Sequence, residues 1–128
     1  MKIKDGENKK RILIVEDDLK QIQDSIDYIV SKYSSKFSID IINPQETTLD
    51  NILDQISAND YDFLLLDHNY KMTFTGKDIA EKSNFPGKIY SISGTNIDVK
   101  YCHEYLGKIS PSVFEKFSES FNQEVSYA

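Results

Sequence analysis

Two apolar runs that end in acidic residues constrain the fold of this chain most. The run RILIV (11–15) is followed by Glu16 and Asp17, and the run FLLL (63–66) is followed by Asp67. A short continuous apolar run is typical of a strand buried on both faces, as in a parallel sheet. In open parallel sheets, ligands bind beyond the carboxyl ends of the strands. The three acidic residues therefore stand where a functional site is expected.

Helical patterns separate the apolar runs. Apolar residues recur at helical spacing over 19–33, 49–56 and 113–121. Asp18 precedes the first of these segments and is predicted to be its N-cap, with Gln21 completing a capping box. Asp18 is therefore left out of the predicted site.

Further strands and helices complete the alternation. Strands are predicted at FSIDII (37–42), at KIYSISG (88–94) and at 105–108. A helix with Asp78 as capping partner is predicted to begin at Thr75. A short helix or loop is predicted over 96–106. Strands that alternate regularly with helices indicate right-handed βαβ units and a parallel sheet. The sequence thus predicts an α/β fold with five strands and five helices.

Length and composition narrow the function classes. We expect a flexible lead over 1–10 and one domain over 11–128. The net charge of −6 argues against binding to nucleic acid, which requires clustered cations. A lone cysteine, Cys102, excludes an internal disulfide and a cysteine-based zinc site, and it fits a reducing compartment. No apolar stretch is long enough for a membrane segment, so we expect a cytoplasmic protein that does not bind membranes.

Polar residues at the predicted strand ends suggest one shared site. They are Glu16 and Asp17, Asp67, Ser93 and Lys108. Crowded carboxylates raise one another's pKa unless a divalent cation lies among them, and Mg²⁺ suits such ligands. A carboxylate can accept a phosphoryl group, whose oxygens an ammonium and a hydroxyl can bind. These residue types therefore point to phosphoryl chemistry.

Four motifs carry a family resemblance. The segments ILIVEDD, LLLDHN, YSISG and EYLGK, in this order and spacing, resemble the receiver domain of two-component response regulators. The resemblance covers nearly the whole chain, from about Arg11 to the last helix. It implies a flavodoxin-like, doubly wound, five-stranded parallel sheet in the order 2-1-3-4-5, with helices on both faces and a shortened fourth helix.

The resemblance implies a Mg²⁺ site as the cofactor site of the domain. Asp17 and Asp67 match direct metal ligands, and Glu16 matches a residue that acts on the metal through water. Asn69 matches the position whose backbone carbonyl completes the site.

The resemblance also implies roles in phosphoryl transfer. Asp67 matches the phospho-accepting aspartate, and Lys108 matches the lysine, which we expect to pair with Asp67 in the resting protein and with a phosphoryl oxygen afterwards. Ser93 and Tyr105 match the switch hydroxyl and the switch aromatic residue, and Gly94 matches the small residue next to the hydroxyl. Of the two histidines, neither has metal-ligand spacing, although His68 directly follows Asp67 and is placed to influence access to it.

A partner and an output follow from the resemblance. A receiver takes its phosphoryl group from a histidine kinase or a histidine phosphotransfer protein and signals by binding a downstream protein. It is no enzyme beyond weak self-catalysed phosphorylation and dephosphorylation. We expect a monomer or a dimer that forms on phosphorylation.

Three features depart from the family pattern. Ile109 stands where a proline usually follows the lysine, and because a cis bond before a non-proline residue costs about 2.5–4 kcal/mol, we expect a trans Lys108–Ile109 peptide. The loop 67–76 is one residue longer than usual and lacks its proline. The link 93–108 is short by about two helical turns, so the usual signalling face of the family is altered.

Other functions remain as alternatives. A pseudo-receiver would keep the fold with a silent pocket. A phosphatase of the haloacid-dehalogenase type would have a second aspartate where Asn69 stands. A flavodoxin-like FMN binder would have a hydroxyl- and glycine-rich phosphate loop after the first strand, where this chain has acidic EDDLK.

Overall fold

A single parallel sheet organises the chain. The computed structural model describes residues 9–68, 70, 73–93 and 101–126, without the side chains of residues 21, 22 and 120–126. The five strands, all parallel and in the order 2-1-3-4-5, are β1 Lys10–Val15, β2 Phe37–Ile42, β3 Phe63–Leu66, β4 Lys88–Ser91 and β5 Glu104–Tyr105. The predicted fold class is therefore confirmed.

Four α-helices lie in the part of the chain that the structure describes. They are α1 Leu19–Lys32, α2 Leu49–Ala58, α3 Gly76–Ser83 and α4 Pro111–Ser126, and a 3₁₀ turn covers Pro44–Glu46. The prediction of five helices is not met within these residues, since 101–103 form a turn and bends. Residues 94–100, which contain much of the predicted shortened fourth helix, lie outside the described ranges.

The central strands are buried on both faces, as their continuous apolar runs predict. In β1, Ile12 and Ile14 pack into one core layer while Leu13 and Val15 pack into the other, and all four are fully buried. The first layer includes residues of α1 and α4, and the second includes residues of α2 and α3. This alternation covers both faces of the sheet and leaves its carboxyl-end edge for the site.

An aromatic cluster holds α4 against the sheet. Phe117 makes edge-on ring contacts with Phe63 and Tyr90, at centroid distances of 5.2 and 5.1 Å. Phe114 makes a similar contact with Phe37 at 5.5 Å. Ile109 is 2% exposed and packs in the same core layer. The Lys108–Ile109 peptide bond is trans, as expected. The residue that replaces proline thus serves as a core residue.

The beginning of α1 corrects one prediction. Asp18 occupies the N-cap position, but its side chain makes no capping hydrogen bond with the described residues of the helix. Its φ and ψ of −98° and 48° lie outside the extended region typical of side-chain caps. The Asp18 carboxylate instead lies 3.5 Å from Nζ of Lys108. The predicted partner, the Gln21 side chain, lies outside the description.

The beginning of α3 agrees with its sequence pattern. The Thr75 backbone N–H donates to Oδ2 of Asp78 at 2.9 Å, and the helix begins at Gly76. The predicted capping partner is confirmed.

The last strand is shorter than predicted. Residues 105–108 were expected to form β5, whereas the strand covers only Glu104–Tyr105. The N–H groups of Leu106 and Gly107 both donate to the Ser91 carbonyl, at 2.8 and 3.3 Å, so the ladder ends there. Gly107 has φ +91°, a left-handed conformation that favours glycine and turns the chain toward Lys108.

No helix in the described ranges is both long enough and apolar enough to cross a membrane.

Candidate functional site

Three carboxylates meet at the carboxyl-end edge of the sheet. Glu16 and Asp17 follow β1 directly, and Asp67 follows β3, its hydrogen-bonded neighbour in the sheet. One carboxylate oxygen from each residue lies within 4.8 Å of the other two. The structure thus brings together the three acidic residues that the sequence places at strand ends.

Backbone contacts fix the position of Asp67. Its N–H donates to the Val15 carbonyl at 3.3 Å, and its Oδ1 accepts the backbone N–H of His68 at 2.7 Å. The residue is only 8% exposed. A Cβ on Gly76 would lie 2.2 Å from the Asp67 carbonyl oxygen, so the start of α3 packs directly against this residue. The Asp67 loop is therefore held from both the strand and the helix.

Glu16 is the most deeply buried acid of the cluster. Its Oε2 accepts the Asp18 backbone N–H at 3.0 Å, while its Oε1 is buried with no hydrogen-bond partner among the described residues. Burial raises the pKa of Glu16 to about 7; the Asp18 N–H opposes this rise, and the charge of Asp67 adds to it. The carboxylates of Glu16, Asp17 and Asp67 repel one another at this distance. A positive charge bound among them would lower that repulsion.

Lys108 reaches the site from the end of β5. Its Nζ lies 3.5 Å from Oε2 of Glu16 and 3.5 Å from Oδ2 of Asp18. A direct ion pair with Asp67, expected for the resting protein, is not present among the described ion pairs. Burial lowers the pKa of Lys108, but the charges of Glu16, Asp18 and Asp67 outweigh it, so the pKa is raised. The ammonium stays protonated in the site.

The two predicted switch residues contact each other. Ser93, 8% exposed, follows β4, and Tyr105 lies in β5. The Tyr105 hydroxyl donates to the Ser93 carbonyl at 3.1 Å, and the Ser93 N–H donates to the Ser91 hydroxyl at 3.4 Å. The structure therefore links Tyr105 to the backbone that carries the Ser93 hydroxyl.

Two predicted site positions lie outside the described residues. They are Asn69, whose carbonyl was expected to complete the metal site, and Gly94, next to Ser93. Their predicted roles remain predictions.

Several residues near Asp67 were not predicted from the sequence. Asp18 carries a sequence signal, as the third acidic residue of EDD, but its position before a helix favoured a cap. The position of Gly76 against Asp67 and the 2.8 Å contact between Nδ1 of His68 and the Tyr101 hydroxyl oxygen depend on tertiary packing. Tyr70 is fully buried, and its hydroxyl has no hydrogen-bond partner within the described ranges. No local pattern in the sequence indicates the packing of Gly76, the contact between His68 and Tyr101 or the burial of the Tyr70 hydroxyl.

The donor set fits Mg²⁺. Carboxylate oxygens are the hard ligands that Mg²⁺ prefers. Asp17 and Asp67 offer oxygens close enough to share one ion, and the unpartnered Oε1 of buried Glu16 can accept a hydrogen bond from a metal-bound water. The orphaned oxygen and the crowding of the carboxylates both favour a cation here.

Comparison with solved structures identifies the fold. The N-terminal domain of an uncharacterized protein from Wolinella succinogenes superposes with a TM-score of 0.69 at 16% identity, covering 93% of this chain and 99% of that one. The N-terminal domain of a response regulator/sensory box/GGDEF protein from Carboxydothermus hydrogenoformans gives 0.66 at 20% identity, covering 93% and 100%. Response regulator TrrA from Thermotoga maritima, in complex with Mg²⁺–BeF, gives 0.65 at 20%, covering 89% and 97%.

These similarities concern structure rather than sequence. No protein-family model and no curated protein matches this sequence. The chain has the fold of response regulator receiver domains, at an identity that establishes the fold alone.

Proposed function

We propose that this chain is a phosphoryl-accepting receiver in two-component signalling, with Asp67 as the acceptor. The observation that carries the proposal is the meeting of Glu16, Asp17 and Asp67 within 4.8 Å at the carboxyl-end edge of a receiver fold. Lys108 lies 3.5 Å from Glu16 in the same site. The donor is a histidine kinase or a histidine phosphotransfer protein, and the output is binding to a downstream protein.

The chemistry is a transfer between two nucleophiles. A carboxylate oxygen of Asp67 attacks the phosphorus, the new O–P bond forms, and the P–N bond to the donor imidazole breaks with its electron pair on nitrogen. Bound Mg²⁺ would supply positive charge for the phosphoryl oxygens. Asp17 and Asp67 would hold it directly, Glu16 would hold it through water, and the Asn69 carbonyl would complete its ligands. The backbone N–H of His68, 2.7 Å from Oδ1, orients the attacking carboxylate.

Lys108 provides the response to the new charge. Its ammonium pairs with Glu16 and Asp18 in the unphosphorylated protein. A phosphoryl group on Asp67 adds oxygens that compete for this cation by charge-assisted hydrogen bonds. We expect Lys108 to leave Asp18 and bind a phosphoryl oxygen, which moves the end of β5.

Ser93 and Tyr105 form the proposed switch. The Ser93 hydroxyl is drawn toward the phosphoryl group, and its backbone moves with it. Because Tyr105 donates to the Ser93 carbonyl at 3.1 Å, that movement alters a hydrogen bond of the aromatic residue directly. The change is expected to remain near Ser93 and Tyr105, with the protein monomeric or dimerising on phosphorylation.

One observation keeps a pseudo-receiver as the second candidate. Lys108, on which phosphoryl binding depends in the first proposal, is held by two other carboxylates. If that arrangement is permanent, the domain binds its partners without phosphorylation.

Intact-protein mass spectrometry separates these candidates. The protein is incubated with Mg²⁺ and acetyl phosphate, and one phosphate adduct is expected on the wild type and none on Asp67→Asn. Asp60→Asn, at an exposed aspartate in the loop between α2 and β3, is the matched control and should behave like the wild type. A folded wild type that gains no adduct from either acetyl phosphate or a phosphorylated histidine phosphotransfer protein would favour the pseudo-receiver.

A further inference from the structure

The side chains of His68 and Tyr101 form a contact that joins two distant segments. Nδ1 of His68 and the Tyr101 hydroxyl oxygen lie 2.8 Å apart, and the two rings stack with centroids 6.0 Å apart at an interplanar angle of 27°. A hydrogen bond combined with ring stacking fixes both the distance and the orientation of the two side chains. This geometry indicates a specific contact rather than a chance approach.

One end of the contact belongs to the Asp67 loop. The His68 backbone N–H donates to Oδ1 of Asp67 at 2.7 Å, and its carbonyl accepts the Gly76 N–H at 3.0 Å. The Tyr101 hydroxyl lies 3.2 Å from the position that a Cβ on Gly76 would occupy. Tyr101 therefore rests on the junction between Asp67 and α3, and the glycine leaves room for it.

The other end of the contact leads into β5. His103, two residues after Tyr101, donates its N–H to the Ile89 carbonyl at 2.7 Å and begins the pairing with β4. Tyr105 then donates its hydroxyl to the Ser93 carbonyl. Segment 101–105 is thus attached to the site at both ends, by Tyr101 to the Asp67 loop and by Tyr105 to Ser93.

The protonation of the Tyr101 hydroxyl follows from its surroundings. Burial raises the pKa of the Tyr101 hydroxyl, and the charges of Cys102 and Asp67 add to this effect. The hydroxyl therefore keeps its proton and can donate it to Nδ1 when the neutral imidazole carries its own proton on Nε2.

We propose that the His68–Tyr101 pair is a latch that holds segment 101–105 on the Asp67 loop and slows the hydrolysis of phosphorylated Asp67. This inference rests on the proposed function. In hydrolysis, a water oxygen forms a new bond to the phosphorus, and the P–O bond to Asp67 breaks with its electron pair on the carboxylate oxygen. Inorganic phosphate leaves with the protons of the water. By this proposal the Tyr101 side chain, which His68 holds beside Gly76 at the start of α3, restricts the approach of that water. Both residues are positioning residues, since neither bonds to the reacting atoms.

Two single variants and their double variant test the latch. Tyr101→Phe removes the hydroxyl and keeps the ring, while His68→Leu removes the acceptor. Each is expected to shorten the half-life of the aspartyl phosphate roughly 2- to 10-fold, the range that one ordinary hydrogen bond corresponds to. The double variant should add little to either single change, because both remove the same bond. His68→Asn, which keeps an acceptor near the Nδ1 position, should retain most of the wild-type half-life.

Amide hydrogen exchange of the unphosphorylated proteins provides a second measurement. Tyr101→Phe and His68→Leu should speed exchange at 101–105 and leave β1 and β3 unchanged, which also verifies folding. Tyr28→Phe, at an exposed tyrosine on α1, is the matched control and should change neither exchange at 101–105 nor the phosphate half-life.

The two measurements separate the latch from the proposed function. If the wild type takes up no phosphoryl group, the proposed function is wrong, and so is the proposed control of hydrolysis. Hydrogen exchange at 101–105 still decides in that case whether the latch holds this segment. The latch alone is overturned if phosphorylated Tyr101→Phe keeps the wild-type half-life. It is also overturned if the effects of the two single changes on the half-life simply multiply in the double variant.

Discussion

Nζ of Lys108 lies 3.5 Å from Oε2 of Glu16, a side chain with no solvent exposure. The two residues are 92 positions apart and join the end of β5 to the end of β1. Lys108 offsets part of the cost of keeping a carboxylate buried beside Asp67. Because burial already raises the pKa of Glu16 to about 7, the protonation of this acid should govern what the loss of Lys108 does to stability.

Lys108→Ala should therefore destabilise the metal-free protein more at high pH than at low pH. A carboxyl whose pKa is raised on folding contributes stability that is fully present below its unfolded pKa and is lost as the pH rises through its folded pKa. Removing the cation raises the pKa of Glu16 further. Near pH 6, Glu16 of the variant takes up a proton, and the loss in the free energy of unfolding is small. Near pH 8, the buried Glu16 carboxylate is left charged and unpaired, and the loss is larger.

Urea unfolding in EDTA measures this difference. The side chain of Lys108 keeps 37% exposure, so solvent screens the pair, and we expect a loss of about 1–2 kcal/mol near pH 8 rather than the ~3–5 kcal/mol of a fully buried pair. Lys116→Ala, at an exposed site on α4, should show no such pH dependence. Equal losses at both pH values would contradict the proposed pairing.

Asp17→Asn should abolish most Mg²⁺ binding, because it removes a direct ligand from the carboxylate cluster. We expect the affinity to fall at least ~10-fold. Asp18→Asn is the matched control, since the Asp18 carboxylate pairs with Lys108 and lies outside the cluster. NMR titration with MgCl₂, followed at the amides of Asp17 and His68, measures both. Similar affinities in the two variants would show that the metal lies elsewhere.

Much of the fold was predictable because its signals are local. The continuous apolar run of β3 predicted burial on both faces, and its four residues are at most 6% exposed. The capping pattern of Thr75 and Asp78 predicted the start of α3. Such features depend on periodicity and on contacts between near neighbours in the chain.

The errors concern contacts between distant residues. Asp18 has the local signature of a cap, but an ammonium from the far end of the chain draws its carboxylate away. The length of β5 is set by Ser91, whose carbonyl accepts two N–H groups and ends the ladder. The meeting of Glu16, Asp17 and Asp67 was predictable, because parallel strands bring their carboxyl ends to one edge. The pairing of Lys108 with Glu16 and Asp18 was not.

Gly76→Ala should destabilise the protein and disturb the Asp67 loop. The added Cβ would lie 2.2 Å from the Asp67 carbonyl oxygen, and backbone cannot yield as a flexible side chain would. We expect a loss of about 1–3 kcal/mol, as in overpacked cores, together with weaker Mg²⁺ binding. Lys77→Ala, exposed at the next position of α3, should leave both unchanged. A fully stable Gly76→Ala that binds Mg²⁺ normally would contradict this close approach.

Tyr70→Phe should stabilise the metal-free protein. Tyr70 is fully buried, and its hydroxyl has no hydrogen-bond partner within the described part of the chain. Burial raises the pKa of this hydroxyl well above its usual value, and the negative charge of Asp67 adds to the effect, so it stays neutral. An unsatisfied buried polar group costs about 1–3 kcal/mol, and removing it should raise the free energy of unfolding by about 1 kcal/mol.

Tyr61→Phe provides the contrast, because the same change there removes a satisfied hydroxyl. The Tyr61 hydroxyl donates to Oδ2 of Asp40 at 2.6 Å and accepts from Nε2 of Gln55 at 3.0 Å. This variant should lose about 1–2 kcal/mol. Urea unfolding of both variants in EDTA measures the opposite signs. If Tyr70→Phe loses stability as Tyr61→Phe does, the Tyr70 hydroxyl has a hydrogen-bond partner in solution.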